Sequence, residues 1–97
     1  MTYGGSIVDE SGPGFTRIWA LKWVRGSVES YIVGRTSLDI VKGRVRRAVE
    51  SYGVKPEEVE AIVSLIVLDP LLNAPRELRE ERAKPLLEFI RELGGSG

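Results

Sequence analysis

The stretch Val-Glu-Ala-Ile-Val-Ser-Leu-Ile-Val-Leu, residues 59–68, decides how the rest of this chain must fold. At 100° per residue, Val59, Ile62 and Ile66 share one face of a helix. The other apolar residues of the stretch spread over most of the remaining circumference and leave only a thin polar strip. A helix that is apolar nearly all round must be covered on more than one side. We therefore predict a central core helix, which also meets a second subunit if one chain cannot cover it.

A buried strand is the alternative for part of this stretch. Residues 61–68 form an eight-residue apolar run with four β-branched members, which also fits a strand covered on both faces. Helix is favoured because Pro56 suits a first helical turn and the carboxylates of Glu57 and Glu58 complement the helix dipole there. As a strand, the run would join a three-stranded sheet.

Composition limits the possible function classes. The 97 residues are enough for one domain with a single modest core. The chain contains no Cys and no His, so a disulfide framework, thiolate metal sites and the commonest catalytic base are absent. Ten Arg against four Lys and eleven Glu against three Asp, with no Gln and one Asn, are typical of a thermophilic source. We predict no enzyme, no cofactor, no metal and no small-molecule substrate.

Hydropathy and charge indicate where the protein works. No apolar run approaches the roughly 20 residues of a membrane span, and no secretory pattern opens the chain, so we expect a cytoplasmic protein without membrane contact. Net charge is zero but unevenly placed. Residues 37–55 carry five cations and two carboxylates, whereas residues 56–97 carry five and nine. This separation of charge can be neutralised within the fold, between subunits or by a charged partner.

Residues 15–35 carry a strand signal, because two runs rich in aromatic and β-branched residues flank Gly26-Ser27. Glycine at the first of two central turn positions favours a type II′ turn, so we predict a β-hairpin. Alternation places both tryptophans on the face that packs against the helices. The second face mixes apolar and charged residues, and we predict that it pairs with another molecule. The candidate interface residues are Ile18, Ala20, Val24, Tyr31 and Val33, together with Ile40 from the following helix.

Two more helices complete the predicted domain. A capping-box pattern starts one helix at Ser37, which runs to about Tyr52, where Gly53 supplies a left-handed stop. A last helix runs from residue 75 to residue 93, and Pro85 breaks or kinks it.

These elements together predict an α+β fold. The N-terminal β-hairpin packs on three helices, which are the Ser37 helix, the central apolar helix and the kinked C-terminal helix. Residues 15–93 form a single α+β domain. Residues 1–14, rich in Gly, are predicted to be a flexible leader, and residues 94–97 a flexible tail or the remnant of an added linker.

Two function hypotheses from different classes remain. The apolar excess of the central helix and the second hairpin face favour a non-catalytic protein–protein interaction or oligomerisation module, a homodimer or a small subunit of a larger assembly. The alternative is a nucleic-acid-associated accessory protein that binds phosphates through Lys42, Arg44, Arg46 and Arg47. A solvated arginine-rich face paired with glutamates of the last helix explains the same cluster, and a sequence pI of about 6.3 is low for a nucleic-acid-binding domain.

Overall fold

The computed structural model describes residues 4–95, with side chains from Thr16 to Gly95. This part of the chain forms four helices, α1 over Gly4–Ile32, α2 over Leu38–Ser51, α3 over Pro56–Leu68 and α4 over Arg76–Gly95. Ring contacts of Trp19 with Tyr52 show that α2 runs antiparallel to α1. Residues 1–14, the predicted leader, lie outside the described side chains, and α1 begins within them at Gly4.

The predicted β-hairpin, and with it the α+β fold class, is wrong. Residues 15–32 belong to α1, and no strand occurs in the described residues 4–95. Gly26 and Ser27, which were expected to form the turn, lie inside this helix. The Ser27 hydroxyl donates a 2.9 Å hydrogen bond to the Trp23 carbonyl oxygen one turn earlier. The protein is therefore all-α where it is described.

The error has a physical cause in the spacing of the apolar residues. Ala20, Val24, Val28 and Ile32 are each 0% exposed and follow one another at intervals of four. An interval of four keeps residues on one side of a helix, whereas the predicted hairpin places Ala20 and Val24 on one face and Val28 and Ile32 on the other. Burial contributes about 1.5–3 kcal/mol for each large side chain, whereas strand propensity spans only about 1 kcal/mol. Packing on the other helices therefore outweighs the local preference.

A glycine ends α1. Gly34 has φ +91°, a left-handed conformation that favours glycine. Its amide donates to the Tyr31 carbonyl oxygen at 3.0 Å, and the Arg35 amide donates to the Ser30 carbonyl oxygen at 2.7 Å. This is the hydrogen-bond pattern of a Schellman motif, which satisfies the last carbonyl groups of a helix.

The two middle helices are confirmed. Ser37 is the N-cap of α2 and accepts a 3.2 Å hydrogen bond from the Ile40 amide, and Gly53 follows the helix with φ +75°. At the start of α3, the Glu58 carboxylate accepts a 2.9 Å hydrogen bond from the Lys55 amide. The strand alternative for residues 61–68 is wrong, because α3 covers all of them.

The last helix is continuous through its proline. Pro85 lies inside α4 rather than ending it. Arg79 in its first turns is only 6% exposed, and its guanidinium donates to the Val67 carbonyl oxygen at 2.8 Å and the Ala74 carbonyl oxygen at 2.6 Å. A single side chain thus satisfies carbonyl groups at the end of α3 and in the loop after it.

All four helices contribute to one core. Ion pairs hold neighbouring helices in register, with Arg17 on α1 paired to Glu58 on α3, and Arg91 on α4 paired to Glu60 on α3 at 3.2 Å. The core is filled by aliphatic side chains and two rings, namely Ala20, Val24, Val28, Tyr31, Ile32, Val41, Val45, Ala48, Val54, Val59, Val63, Ile66, Ala83, Leu86, Phe89 and Ile90.

Candidate functional site

The six interface residues predicted from the sequence do not form one surface. Ala20 and Val24 are 0% exposed and Tyr31 is 8% exposed, so these three side chains belong to the core. Val33 is partly buried at the end of α1. Ile18 and Ile40 are about half exposed, but they lie near opposite ends of the antiparallel α1–α2 pair, separated by about 18 Å along the helix axis.

Tyr31 is part of a reciprocal connection between α1 and α4. Its hydroxyl donates to the Arg82 carbonyl oxygen at 2.8 Å, and Arg82 Nη1 donates to the Ile32 carbonyl oxygen at 2.7 Å. Burial raises the pKa of the Tyr31 hydroxyl, and the positive charge of Arg82 opposes part of that rise. These contacts occupy the polar groups of Tyr31 inside the chain.

Three of the six large apolar side chains exposed among the described residues lie on α3 or just after it. Leu65 is 66% exposed and Leu68 is 57% exposed, and Leu71 in the following loop is 90% exposed. Ala61 and Ser64 are exposed on the same helix. Residues 61, 65 and 68 follow the four-then-three spacing of a helix–helix seam. Isolated exposed leucines are ordinary on monomers, whereas Leu65 and Leu68 lie about one turn apart on the same side of α3.

Two apolar grooves flank this face. One groove, between α3 and α4, has a volume of about 370 Å³ and is lined at its base by Val67, Ala83 and Leu87. The other, between α1 and α3, has a similar volume of about 370 Å³ and is lined by Leu21 and Ile62. The exposed ridge of α3 therefore stands between two depressions with apolar floors. We call this ridge, together with its two grooves, the α3 face.

Charged pairs stand at opposite ends of the groove between α3 and α4. At the end near Leu68, Arg76 Nε lies 2.9 Å from a carboxylate oxygen of Glu80. Toward the other end, Arg91 pairs with Glu60. These exposed pairs contribute little to stability, about 0–1 kcal/mol each, but they give the rim of the α3 face a definite charge pattern.

The four cations predicted to bind phosphates lie on α2, on two sides of the helix. Lys42 Nζ lies 5.4 Å from the centroid of the Phe89 ring, and the Arg46 guanidinium carbon lies 5.3 Å from it. These cation–π contacts join α2 to α4. On the other side, Arg44 Nη1 donates to Ser27 Oγ of α1 at 3.3 Å, and Arg47 is exposed.

The expected pairing of these cations with glutamates of the last helix is not found among the described residues. None of the four cations belongs to the ion pairs that the described residues form. Those pairs are Arg17–Glu58, Arg25–Glu29, Arg76–Glu80 and Arg91–Glu60.

An aromatic cluster lies where the end of α2 meets α1. The rings of Trp19 and Trp23 stack with centroids 5.5 Å apart and an interplanar angle of 17°. Tyr52 meets both rings edge-on, at 5.8 Å and 6.2 Å. Trp19 is nevertheless 48% exposed. The hairpin prediction turned both tryptophans inward and therefore did not indicate this surface, although their spacing of four is the signal for stacking on a helix.

The described residues contain neither a metal site nor a membrane-spanning helix. In the described part of the chain, no three acidic, His or Cys side chains come together as a metal site would require. No helix among the described residues has the length and hydropathy needed to cross a bilayer. No protein-family model, no curated protein and no solved structure matches this chain.

Proposed function

We propose that this protein is a non-catalytic oligomerisation module that forms a homodimer through the α3 face. The observation that carries this proposal is the exposure of Leu65 and Leu68 on α3 and of Leu71 in the following loop, which no part of the described chain covers. We propose that the module acts in the cytoplasm and needs no cofactor.

A second copy suits the α3 face because the face is complementary to itself. A two-fold axis near Ser64 and Leu65 makes the two α3 helices antiparallel and sets Leu68 of each copy against Ala61 of the other. Large side chains then meet small ones, which is the condition for close helix packing. Because the pair is symmetric, each exposed leucine of the α3 face is removed from water in both copies.

The charges on the rim favour the same arrangement. The antiparallel pairing carries the Arg76–Glu80 pair of one copy toward the Glu60–Arg91 pair of the other. Each cation then gains a second carboxylate nearby, and each carboxylate a second cation. A parallel pairing, with its two-fold axis along α3, would instead place the α4 edge of one copy beside the α1 edge of the other, so these two charged pairs would not meet. Complementary rim charges of this kind fix the register of an interface more than they increase its affinity.

The available area is sufficient for a modest dimer. α3 is about 20 Å long, and with the adjoining edges of α1 and α4 the face is about 30 Å wide. This corresponds to roughly 600 Å² per copy, close to the ~800 Å² that each partner buries in a standard interface. We therefore expect dissociation constants in the micromolar range rather than an obligate dimer.

Sedimentation velocity across a micromolar concentration series tests the proposal. The wild type should show a concentration-dependent dimer, and Leu65→Glu should be monomeric throughout, because it places a charge at the centre of the interface in both copies. Ile40→Glu is the matched control, since Ile40 is 49% exposed on α2. It should leave the dimer unchanged. A wild type that stays monomeric, or a dimer that Ile40→Glu dissociates and Leu65→Glu does not, contradicts the α3 interface.

A further inference from the structure

The groove between α1 and α2 holds Arg44 of α2 at Ser27 and, two turns earlier along α1, the half-exposed ring of Trp19. Arg44 reaches across from α2 and donates to Ser27 on α1 at 3.3 Å. Tyr52 closes the same groove against Trp19. This surface is separate from the α3 face, because α2 packs on α1 and α4.

The arginines of this groove are available to an anion. Arg44 donates to a neutral hydroxyl group, so this contact places no carboxylate against its guanidinium. Arg47 lies three residues further along α2, about 4.5 Å along the axis, and is exposed. Neither belongs to the ion pairs formed among the described residues. On α2, the one carboxylate close to these two arginines is that of Glu50, which is exposed.

Trp19 offers a flat, fixed surface at the end of this row. Trp23 stacks on the ring of Trp19, and Tyr52 holds its edge, so its position is set by packing inside the protein. With 48% of the residue exposed, much of the indole remains in contact with water. A pre-positioned aromatic ring loses little conformational entropy when another planar group stacks on it.

We propose that this groove binds single-stranded nucleic acid, with phosphates at Arg44 and Arg47 and an unpaired base stacked on Trp19. A row of cations that ends in an exposed aromatic ring is the combination that single-strand binders use. An unpaired base is required because bases inside a duplex already stack on their neighbours. In this groove Arg44 and Arg47 stand against one carboxylate, Glu50, and this net positive charge favours a polyanion over a neutral aromatic ligand.

Fluorescence anisotropy with a labelled oligothymidylate of about ten nucleotides tests this site, at salt concentrations from about 50 to 200 mM. Trp19→Ala should raise the dissociation constant about tenfold, because a stacking contact is lost. Trp19→Phe should retain part of the affinity and guards against loss of the fold. Arg44→Ala and Arg47→Ala should each reduce the slope of log K against log salt by about 0.7, the value for one phosphate contact on a single strand.

Matched variants separate this site from general attraction between charges. Arg25→Ala is the control for general charge attraction. Arg25 is exposed on the side of α1 that faces α3, away from α2, so its removal should leave binding nearly unchanged. Glu50→Gln should tighten binding, because it removes the carboxylate beside the arginines. Equal weakening by Arg25→Ala and Arg47→Ala, or unchanged binding in Trp19→Ala, overturns the proposal. Preference for the complementary duplex over the single strand overturns it as well. Leu65→Glu provides an independent check, since binding should survive in a monomer.

Discussion

The Tyr31 hydroxyl donates a 2.8 Å hydrogen bond to the Arg82 carbonyl oxygen, and the Arg82 side chain returns a 2.7 Å hydrogen bond to the end of α1 at Ile32. The two residues are 51 positions apart in sequence. They join the first helix to the last at the end of the bundle where α1 stops. This double connection makes the C-terminal end of α1 part of the rigid core.

Tyr31→Phe should lower the free energy of unfolding by about 1 kcal/mol, the usual net value of one hydrogen bond. The comparison variant is Tyr52→Phe, since the contacts of Tyr52 are between rings and survive the change. Urea unfolding at neutral pH measures both. Equal losses in the two variants would show that the Tyr31 hydrogen bond adds nothing to stability.

The same hydroxyl predicts a pH effect. Burial raises the pKa of Tyr31 in the folded protein, with Arg82 opposing part of the rise. Above pH 10 the unfolded chain therefore ionises at this residue before the folded chain does, and stability falls as the pH rises toward the folded-state pKa. Below pH 10 this contribution is constant. Stability measured between pH 9 and 11 should consequently fall more steeply in the wild type than in Tyr31→Phe.

Gly34→Ala should destabilise the protein by about 1–3 kcal/mol, because a residue with a side chain is strained at φ +91°. An added Cβ would also lie 3.1 Å from Arg82 Nη1, the group that bonds to Ile32. Gly53→Ala is a close control, since Gly53 has φ +75° but nothing within 4 Å of the added atom. Thermal unfolding should show the larger loss for Gly34→Ala, and a larger loss for Gly53→Ala would argue against the Arg82 contact.

Gly26→Ala decides between the helix and the hairpin. Within α1, alanine should raise the free energy of unfolding by about 0.5–1 kcal/mol, because glycine is a poor helix former and nothing lies within 4 Å of the added atom. In a type II′ turn the same change would be destabilising. Gly43→Ala in α2 has equally open surroundings and should show a similar gain. A loss at Gly26 with a gain at Gly43 would contradict α1.

Local sequence signals predict well where a helix begins and ends, but they predict poorly against which other helix each apolar face packs. Pro56 and Gly53 mark helix ends through their backbone chemistry and the structure places helix ends at both, whereas Ser37, predicted as the first helical residue, is the N-cap of α2. Residues 15–32 carry no comparable marker of a helix end, and their aromatic and β-branched residues favour a strand although the spacing of four fits a helix. The choice is made by burial against helices that come later in the chain, which local pattern does not contain.

The candidate surfaces are likewise only partly predictable from the sequence. The excess of apolar residues in α3 is visible in the sequence, but which of them reach water depends on how α1 and α4 pack. Ile62 becomes partly buried while Leu65 stays exposed, although both are large and aliphatic. On α2 the cations are evident from sequence, whereas their separation into a pair on Phe89 and a pair beside α1 requires the tertiary structure.

Single cysteines test the geometry of the proposed dimer, since the natural chain has none. Ser64 lies near the two-fold axis of the antiparallel pairing, so Ser64→Cys should form an intermolecular disulfide rapidly under mild oxidation. Ala61→Cys should not, because its equivalent in the other copy is displaced by about 10 Å along the helices. Ser51→Cys, at an exposed position of α2, measures how fast disulfides form through random collisions between molecules. Rapid cross-linking through both Ser64→Cys and Ala61→Cys would indicate a parallel pair, and rates no faster than that of Ser51→Cys would exclude the α3 face as the interface.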